Sequence, residues 1–226
     1  MDRIQYIVSK VEGLRVCHVG FADVGCECTR STTGDWLHER IVRAADSAVG
    51  LDIVGAAVTD ARTRGYEAHQ VDCTDPQAVA ALDLGTFDLV VAGEVIEHLE
   101  EPGSFLRAMK ALVRPDGRLL LTTPNAYRPQ NALLALTSRE WVHPDHVVQF
   151  SPRTLTVLLE RCGWDVVEGA TYLVPRTGST PAPTSLGQLL ARTSNVVQRL
   201  LAKRVSPYVA DGLVVVASPS RVGAGR

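Results

Sequence analysis

Apolar and polar residues follow two alternating patterns along most of the chain. Short apolar, β-branched runs are typical of strands buried on both faces, whereas the stretches between them repeat apolar residues at helical spacing. Strands are predicted at 14–20, 48–52, 66–72, 87–93 and 117–124, and helices near 33–46, 54–64, 76–82 and 103–112. This alternation predicts an α/β fold in which helices cover both faces of a parallel sheet.

Local signals mark several boundaries of these elements. Pro102 suits the first position of a helix, where its missing N–H is not needed. The turn sequence RPDG at 114–117 leads into the fifth strand. Ser151 is a suitable N-cap for the helix that follows it. The apolar segments 164–174 and 212–219 then predict a sixth and a seventh strand.

Length and composition predict one domain with a buried core. The chain has 226 residues, of which 46% are hydrophobic. It contains no apolar run of the roughly 18 residues that a membrane span requires, and its N-terminal segment lacks a signal-peptide core. Its five cysteines are an odd number, which favours reduced thiols, and Cys26 and Cys28 are interpreted as two thiols in a loop. We therefore expect a cytoplasmic protein without a transmembrane segment.

Charge is distributed unevenly along the chain. The net charge of −2 argues against a general polyanion-binding protein, so we do not expect nucleic acid as a partner. Beyond residue 175, however, Asp211 is the only acid among several arginines and lysines. This region combines a Pro/Gly/Ser/Thr loop at 176–185 with an amphipathic stretch at 186–204, predicted as a helix packed on its own domain. Recognition of an anionic acceptor, a membrane surface or nucleic acid is the alternative for this stretch.

Three residues fall at the carboxyl ends of successive predicted strands, which is where open parallel sheets bind ligands. Gly20 allows the backbone to approach a ligand closely. Asp52 can accept hydrogen bonds from both hydroxyls of a ribose, and Asp72 can accept one from the amino group of a base. Helix capping would explain each aspartate alone, but it does not require all three residues at one edge of a sheet.

The chain from about residue 14 to 170 resembles the class I S-adenosylmethionine (SAM)-dependent methyltransferases of the small-molecule type. The likeness is carried by FDLVVAGEVIEHLEEPGSFLRAMKALVRPDGRLLLTTPN and by DHVVQFSPRTLTVLLERCGWDVVE. It implies a Rossmann-like, doubly wound, seven-stranded and mostly parallel sheet with a reversed last strand. The expected parts of this single domain are an N-terminal helix (1–13), a SAM-binding core (14–175), a basic insert (176–211) and the last strand with a disordered tail (212–226).

The resemblance also implies a set of cofactor contacts. Gly20, Phe21 and Ala22 would line the methionine end of SAM, and Gly93 would approach the sulfonium through its backbone. Asp52 with Ile53 would hold the ribose, and Asp72 with Cys73 the adenine. The family usually has an acid and a G-x-G turn at the first strand, whereas this chain has His18 followed by GFAD. Asp23 is a candidate to replace the missing acid, and Gly25 could supply some of the missing flexibility.

An acidic and histidine-containing segment follows the fourth strand. If this segment is helical, the i, i+3 and i+4 spacing of Glu94, Glu97 and His98 puts their side chains on one face. The later segment WVHPDHVVQF adds His143 and His146 to the same rim. In one interpretation, His98 or His146 is a general base that takes a proton from the acceptor.

Two other interpretations remain open for this segment. Glu94, Glu97, His98 and His146 could bind a divalent cation, and imidazole ligands would favour a transition metal over magnesium. This set is similar to the metal site of small-RNA 2′-O-methyltransferases and to an E-x-x-E-H run in quinone-biosynthesis O-methyltransferases. Alternatively, the acids only complement a helix dipole.

The predicted function is O-methylation of a small-molecule or glycan-like acceptor with SAM as the methyl donor. The segment 125–141 would form a lid in which Tyr127, Arg128, Asn131 and Trp141 could contact the acceptor. The alternatives are an RNA 2′-O-methyltransferase and a catalytically silent domain that binds a cofactor or a partner. A nicotinamide-dependent enzyme is disfavoured because no G-x-G-x-x-G opens the first helix. The oligomeric state is left open.

Overall fold

The computed structural model describes residues 1–22, 36–136, 138, 140, 142–174 and 196–220. Helices and strands alternate through the first half of the described chain, and a reversed strand pair closes the sheet. The elements are α1 (Arg3–Val11), β1 (Arg15–Val19), α2 (Leu37–Ala44), β2 (Ser47–Asp52), α3 (Gly55–Thr63), β3 (Ala68–Gln70), α4 (Pro76–Ala81), β4 (Phe87–Gly93), a 3₁₀ turn (Ile96–His98), α5 (Pro102–Leu112), β5 (Val113–Pro124), α6 (Pro129–Ala135), α7 (Pro152–Arg161), β6 (Trp164–Tyr172), a helical stretch at 196–204, a second 3₁₀ turn (Pro207–Val209) and β7 (Gly212–Pro219).

The seven strands form one sheet in the order β3-β2-β1-β4-β5-β7-β6. The pairs from β3 to β5 are parallel, whereas β7 runs antiparallel to both β5 and β6. This topology confirms the predicted fold class. Because the strand order reverses between β1 and β4, the ligand crevice of such a sheet is expected beside the carboxyl ends of these two strands.

Alternate residues of the strands face two helical layers. Leu89 and Val91 of β4 pack in the cluster that contains Ile7 of α1 and Ile41 of α2. Val90 and Ala92 of the same strand pack in the cluster of α4, α5 and α7. The sheet is therefore apolar on both faces, which explains the nearly continuous apolar runs in the sequence.

Two strands differ from their predicted bounds. The strand predicted at 117–124 begins at Val113, because Val113 already pairs with Phe87. The next pair joins Leu89 to Arg118, so the predicted turn at 114–117 is a bulge within the strand. An ion pair between Arg114 and Asp88 holds this bulge against β4. The third strand, predicted at 66–72, is reduced to three residues at the edge of the sheet.

Of the predicted helix at 186–204, the structure describes residues 196–204, and these residues are helical. None of the described helices has both the length and the apolar character needed to cross a bilayer. Several expectations lie outside the described residues. They concern Asp23, Gly25, Cys26, Cys28, Trp141, the loop at 176–185 and the tail at 221–226.

Candidate active site

Gly20 forms the tight turn at the carboxyl end of β1. Its φ of +69° is disfavoured for residues with a side chain, and an added Cβ would lie 2.3 Å from Cγ2 of Val95. Its N–H donates to the carbonyl oxygen of Leu51 over 2.8 Å. Glycine is therefore required here both for backbone conformation and for space.

Asp52 joins the ends of β1 and β2. Its carboxylate is buried and accepts hydrogen bonds from the N–H of Ala22 at 2.8 Å and of Val54 at 2.9 Å. Burial raises the pKa of Asp52, and these N–H groups oppose that rise. Each carboxylate oxygen has two lone pairs, so each can accept a further bond from a ligand hydroxyl. The neighbouring Ile53 leaves an exposed apolar side chain beside it.

Asp72 and Cys73 follow β3 at the same edge of the sheet. Oδ1 of Asp72 accepts from the N–H and the hydroxyl of Thr74, at 2.8 and 2.6 Å, and these bonds lower its pKa. Burial, together with smaller contributions from the negative charges of Asp52 and Asp72, raises the pKa of Cys73 to about 12. The Cys73 thiol thus lies within the electrostatic influence of both aspartates, and it is uncharged at neutral pH.

Gly93 is the last residue of β4 and lies next to the Gly20 turn. The side chain of Arg3, from α1, lies close to Gly93. An added Cβ on Gly93 would lie 3.5 Å from Nη1 of Arg3. The Arg3 guanidinium donates to the Thr122 hydroxyl over 3.3 Å and lies 3.7 Å from Oε1 of Glu94. Sequence reasoning missed Arg3. The sequence signal for Arg3 was its spacing. It lies four residues before Ile7 and eight before Val11, so it belongs to the buried face of α1.

The segment after β4 does not put Glu94, Glu97 and His98 on one face. Glu94 has a φ of +59°, which is not helical, and the 3₁₀ turn spans only Ile96–His98. Oε1 of Glu94 accepts from the hydroxyls of Thr122 at 3.0 Å and Tyr172 at 2.7 Å.

Glu97 bonds instead to the next residue of β5. Its Oε2 accepts from the Thr123 hydroxyl at 2.9 Å. Because consecutive strand residues point to opposite faces, the bonds to Thr122 and Thr123 hold the two carboxyl groups on opposite sides of the sheet. The expectation of one shared face is therefore wrong.

Glu97 is buried, and its second carboxyl oxygen, Oε1, has no hydrogen-bond partner among the described residues. Burial is the main reason that its pKa is raised to about 8, with a smaller contribution from the charge of Glu94. The Glu97 carboxyl is therefore mostly protonated at neutral pH. Its backbone oxygen accepts from the N–H groups of Val147 and Val148, which attaches the later histidine segment to this turn.

His98 meets two histidines of that later segment. Its ring centroid lies 4.6 Å from that of His146 and 5.9 Å from that of His143. Nδ1 of His98 lies 3.1 Å from the carbonyl oxygen of Asp145, to which it can donate. Burial is the main cause of a lowered pKa at His146.

The expected metal ligands are therefore not assembled as a set. Within the described ranges, the group of side chains that could hold an ion is His98, His143 and His146, which excludes both glutamates. His143 was expected only as a neighbour of the site. Its sequence signal was the H-x-x-H spacing with His146.

A cavity of about 230 Å³ lies beside the histidines at the carboxyl end of β5. Arg128 contributes a guanidinium that is 3.4 Å from Oδ1 of Asp211 and whose buried Nε has no partner among the described residues. The cavity is thus mixed in character, with a cation, amides and imidazoles on its wall. Its lining residues are Pro124, Asn125, Arg128, Asn131, Val142, His143, His146, Val148 and Gln149.

His18 stands where the family resemblance leads us to expect an acid, and it is buried against His38. The two Nδ1 atoms are 3.2 Å apart, and the His38 ring also stacks on Phe21. Burial lowers the pKa of His38 to about 4 and that of His18 well below its usual range. The positive charge of Arg3 also lowers the pKa of His18, so both histidines are neutral at pH 7.

The buried histidine pair is expected to make stability depend on pH. A histidine whose folded pKa is depressed stabilises the fold fully above its unfolded pKa of 6.5, and this stabilisation is lost as the pH falls towards 4. For His38 the expected loss is about 2 kcal/mol between about pH 7.5 and pH 5. His38→Gln should remove that part of the pH dependence of the free energy of unfolding, measured with urea. The matched control is His69→Gln, and an unchanged slope in His38→Gln would contradict the assignment.

Comparison with known proteins agrees with this fold. A family model described as a methyltransferase domain matches residues 23–169, more than half of the chain, so the chain belongs to this family. The match begins at Asp23, the last residue of the unusual GFAD sequence.

Curated relatives are similar over part of their length. The ubiquinone biosynthesis O-methyltransferase of Bordetella avium is 29% identical over 145 residues, 63% of this chain and 55% of the relative. The protein of the same name from Albidiferax ferrireducens is 32% identical over 124 residues, 53% of this chain and 46% of the relative. The chain thus spans about half the length of the curated relatives it matches.

Solved methyltransferases share the fold. A SAM-dependent methyltransferase from Archaeoglobus fulgidus superposes with a TM-score of 0.58 at 16% identity, covering 95% of this chain and 90% of that chain. The magnesium protoporphyrin IX methyltransferase of Synechocystis with bound SAH also has a TM-score of 0.58, at 15% identity, covering 96% and 82%. Together with the family match, these results confirm the predicted class, the class I SAM-dependent methyltransferases.

Proposed function

We propose that the protein transfers a methyl group from SAM to a hydroxyl of a small, polar acceptor, a small-molecule or glycan-like compound. The observation that carries this proposal is the set of residues that lie together at one edge of the sheet. There, Gly20, Asp52, Asp72 and Gly93 lie at or just after the ends of four neighbouring strands, and a cavity lined by His143 and His146 lies at the end of the next strand, β5. A silent binding domain would not need imidazoles beside the cofactor crevice.

The residues at this edge fit SAM. The Gly20 turn brings backbone without a side chain to the end of β1, the Asp52 oxygens retain lone pairs for ribose hydroxyls, and Asp72 offers an ionised carboxylate for the adenine amino group. Bound SAM supplies an electrophilic methyl group on a sulfonium. The protein has to orient the acceptor towards it and exclude water, because methyl transfer is an in-line displacement.

Arg3 suits the carboxylate of the methionine part of SAM. It is a half-buried cation beside Gly93 and His18, at the position where the usual acid of the first strand is missing. A charge-assisted hydrogen bond of this kind contributes about 1.5–3 kcal/mol.

Arg3→Gln is therefore expected to weaken SAM binding by about 10-fold or more, measured by calorimetry. Lys10→Gln on the same helix is the matched control, because Lys10 pairs with Glu168 instead. Equal affinities for the two variants would contradict the role of Arg3.

His98 and His146 are the proposed proton acceptors. If Nδ1 of His98 donates to the Asp145 carbonyl, Nε2 carries the lone pair and can take a proton from a hydroxyl. His146 also lines the cavity, which gives it direct access to the acceptor. An imidazole is suited to this step because it titrates near neutral pH.

The cavity supports a small acceptor rather than a polymer. Its volume of about 230 Å³ and its wall of amides, imidazoles and the Arg128 guanidinium suit a compact molecule rich in oxygen or bearing negative charge. The similarity to proteins named ubiquinone biosynthesis O-methyltransferases supports oxygen as the methylated atom.

The test combines binding and turnover. Calorimetry should detect binding of both SAM and its demethylated product, and transfer of a radioactive methyl group should label a member of a panel of catechols, phenols and sugars. A panel of RNA oligonucleotides tests the nucleic-acid alternative. No binding of either cofactor form would overturn the proposal, and labelling of RNA alone would replace the acceptor class.

A further inference from the structure

The histidine cluster has a geometry that the E-x-x-E-H pattern does not predict. We propose that His98, His143 and His146 together bind one divalent transition-metal ion, and that Glu94 and Glu97 are not its ligands. This proposal concerns metal binding by the chain and does not depend on methyl transfer.

The three imidazoles are close enough to share an ion. One ring nitrogen from each lies within 4.8 Å of the other two. In a tetrahedral zinc site with Zn–N bonds of 2.0–2.1 Å, ligand nitrogens are about 3.4 Å apart. Small side-chain rotations would provide this spacing. His98 and His143 are exposed and His146 is partly buried, so an ion has access from solvent.

Asp145 is placed to support one of the ligands and to orient a second. Its carbonyl oxygen lies 3.1 Å from Nδ1 of His98 and can accept its proton, which leaves the opposite ring nitrogen, Nε2, as the ligand atom. The backbone N–H of Asp145 donates to Nδ1 of His143 at 3.3 Å, which fixes the position of that ring. Metal-bound histidines are commonly held by a backbone carbonyl or a carboxylate at the other ring nitrogen.

The glutamates are engaged elsewhere. Glu94 accepts from Thr122 and Tyr172 and lies near Arg3, on the α1 side of the sheet. Glu97 is bonded to Thr123 on the opposite side. A site of three neutral imidazoles favours Zn²⁺, Co²⁺, Ni²⁺ or Cu²⁺, whereas Mg²⁺ prefers oxygen ligands.

Three protein ligands leave a fourth coordination position open. His143 and His146 also line the cavity of about 230 Å³, so this position is adjacent to the space proposed for the acceptor. If the proposed function holds and the ion is bound, a hydroxyl of the acceptor is the natural fourth ligand. The ion would then lower the pKa of that hydroxyl and replace proton uptake by His98 and His146, whose lone pairs it would occupy.

The experiment is metal binding to chelator-treated protein without any cofactor. Calorimetry with Zn²⁺ should give one ion per chain with a dissociation constant of about 1 µM or tighter, and Co²⁺ should produce the visible absorption of a tetrahedral site. His98→Ala, His143→Ala and His146→Ala should each weaken Zn²⁺ binding by about 100-fold or more. Circular dichroism checks that the variants are folded.

The controls are His69→Ala, Glu94→Gln and Glu97→Gln, all of which should bind Zn²⁺ like the unmodified chain. Binding weaker than about 100 µM would overturn the proposal. Loss of binding in Glu97→Gln with normal binding in His143→Ala would also overturn it, because the ion would then use the E-x-x-E-H residues. Since no SAM is present, failure here is separate from failure of the proposed function.

Discussion

Replacement of Asp52 by asparagine is expected to weaken SAM binding by about 100-fold or more. Both carboxylate oxygens accept backbone N–H groups, from Ala22 and from Val54. In asparagine, an amide nitrogen would replace one of these two oxygens. Because this nitrogen is itself a donor, it could not accept the backbone N–H group that faces it. The variant would also lose the charge-assisted bonds proposed for the ribose hydroxyls. The measurement is calorimetry with SAM and with its demethylated product.

A matched control distinguishes a specific loss of SAM binding from a general loss of folded structure. Asp165→Asn alters a carboxylate that accepts from the Ser220 hydroxyl near the start of β6, at the opposite edge of the sheet. It should bind SAM normally. Asp52→Asn is also expected to lower the free energy of unfolding by about 1–3 kcal/mol, because a buried N–H loses its acceptor. Binding within a few-fold of the unmodified chain would rule out Asp52 as a ribose ligand.

Loss of either proposed base should have the second large effect. His98→Ala and His146→Ala are each expected to lower kcat by about 100-fold or more, the usual contribution of general acid–base catalysis. SAM affinity should be retained, because neither ring belongs to the proposed SAM contacts.

The measurement is methyl transfer to an acceptor identified by the panel, at saturating SAM. His69→Ala provides the control, since His69 lies in β3, outside the cluster. Normal kcat in both variants would show that neither histidine takes the proton. If His143→Ala lowers kcat to the same extent and also loses Zn²⁺ binding, the effect on kcat would instead be assigned to the ion.

Several elements could be predicted from local sequence because their causes are local. The bounds of β4 and β7 agree with the apolar runs at 87–93 and 212–219. Ser151 caps α7 as expected from its type and position. The bounds of β3 and β5 were wrong, since the pairing of Phe87 with Val113 and the short edge pairing of β3 depend on partner strands.

The candidate site likewise contains some residues whose positions could be predicted from the sequence and others whose positions could not. The placement of Gly20 and Asp52 follows from strand ends in a parallel sheet, and so it could be predicted from the order of elements. Arg3 could not, because it reaches the site only through the packing of α1 against the sheet. The separation of Glu94 from Glu97 depends on the positive φ of Glu94 and on alternate threonines of a distant strand.

The sequence by itself determined the class of fold, the strand tips and the residue types available for chemistry. Periodic burial and turn residues act over a few positions, and their pattern is visible in the chain. Only the tertiary structure decided which side chains meet. Backbone bonds from Val147 and Val148 to Glu97 bring His143 and His146 to His98, and such contacts join segments about fifty positions apart along the chain.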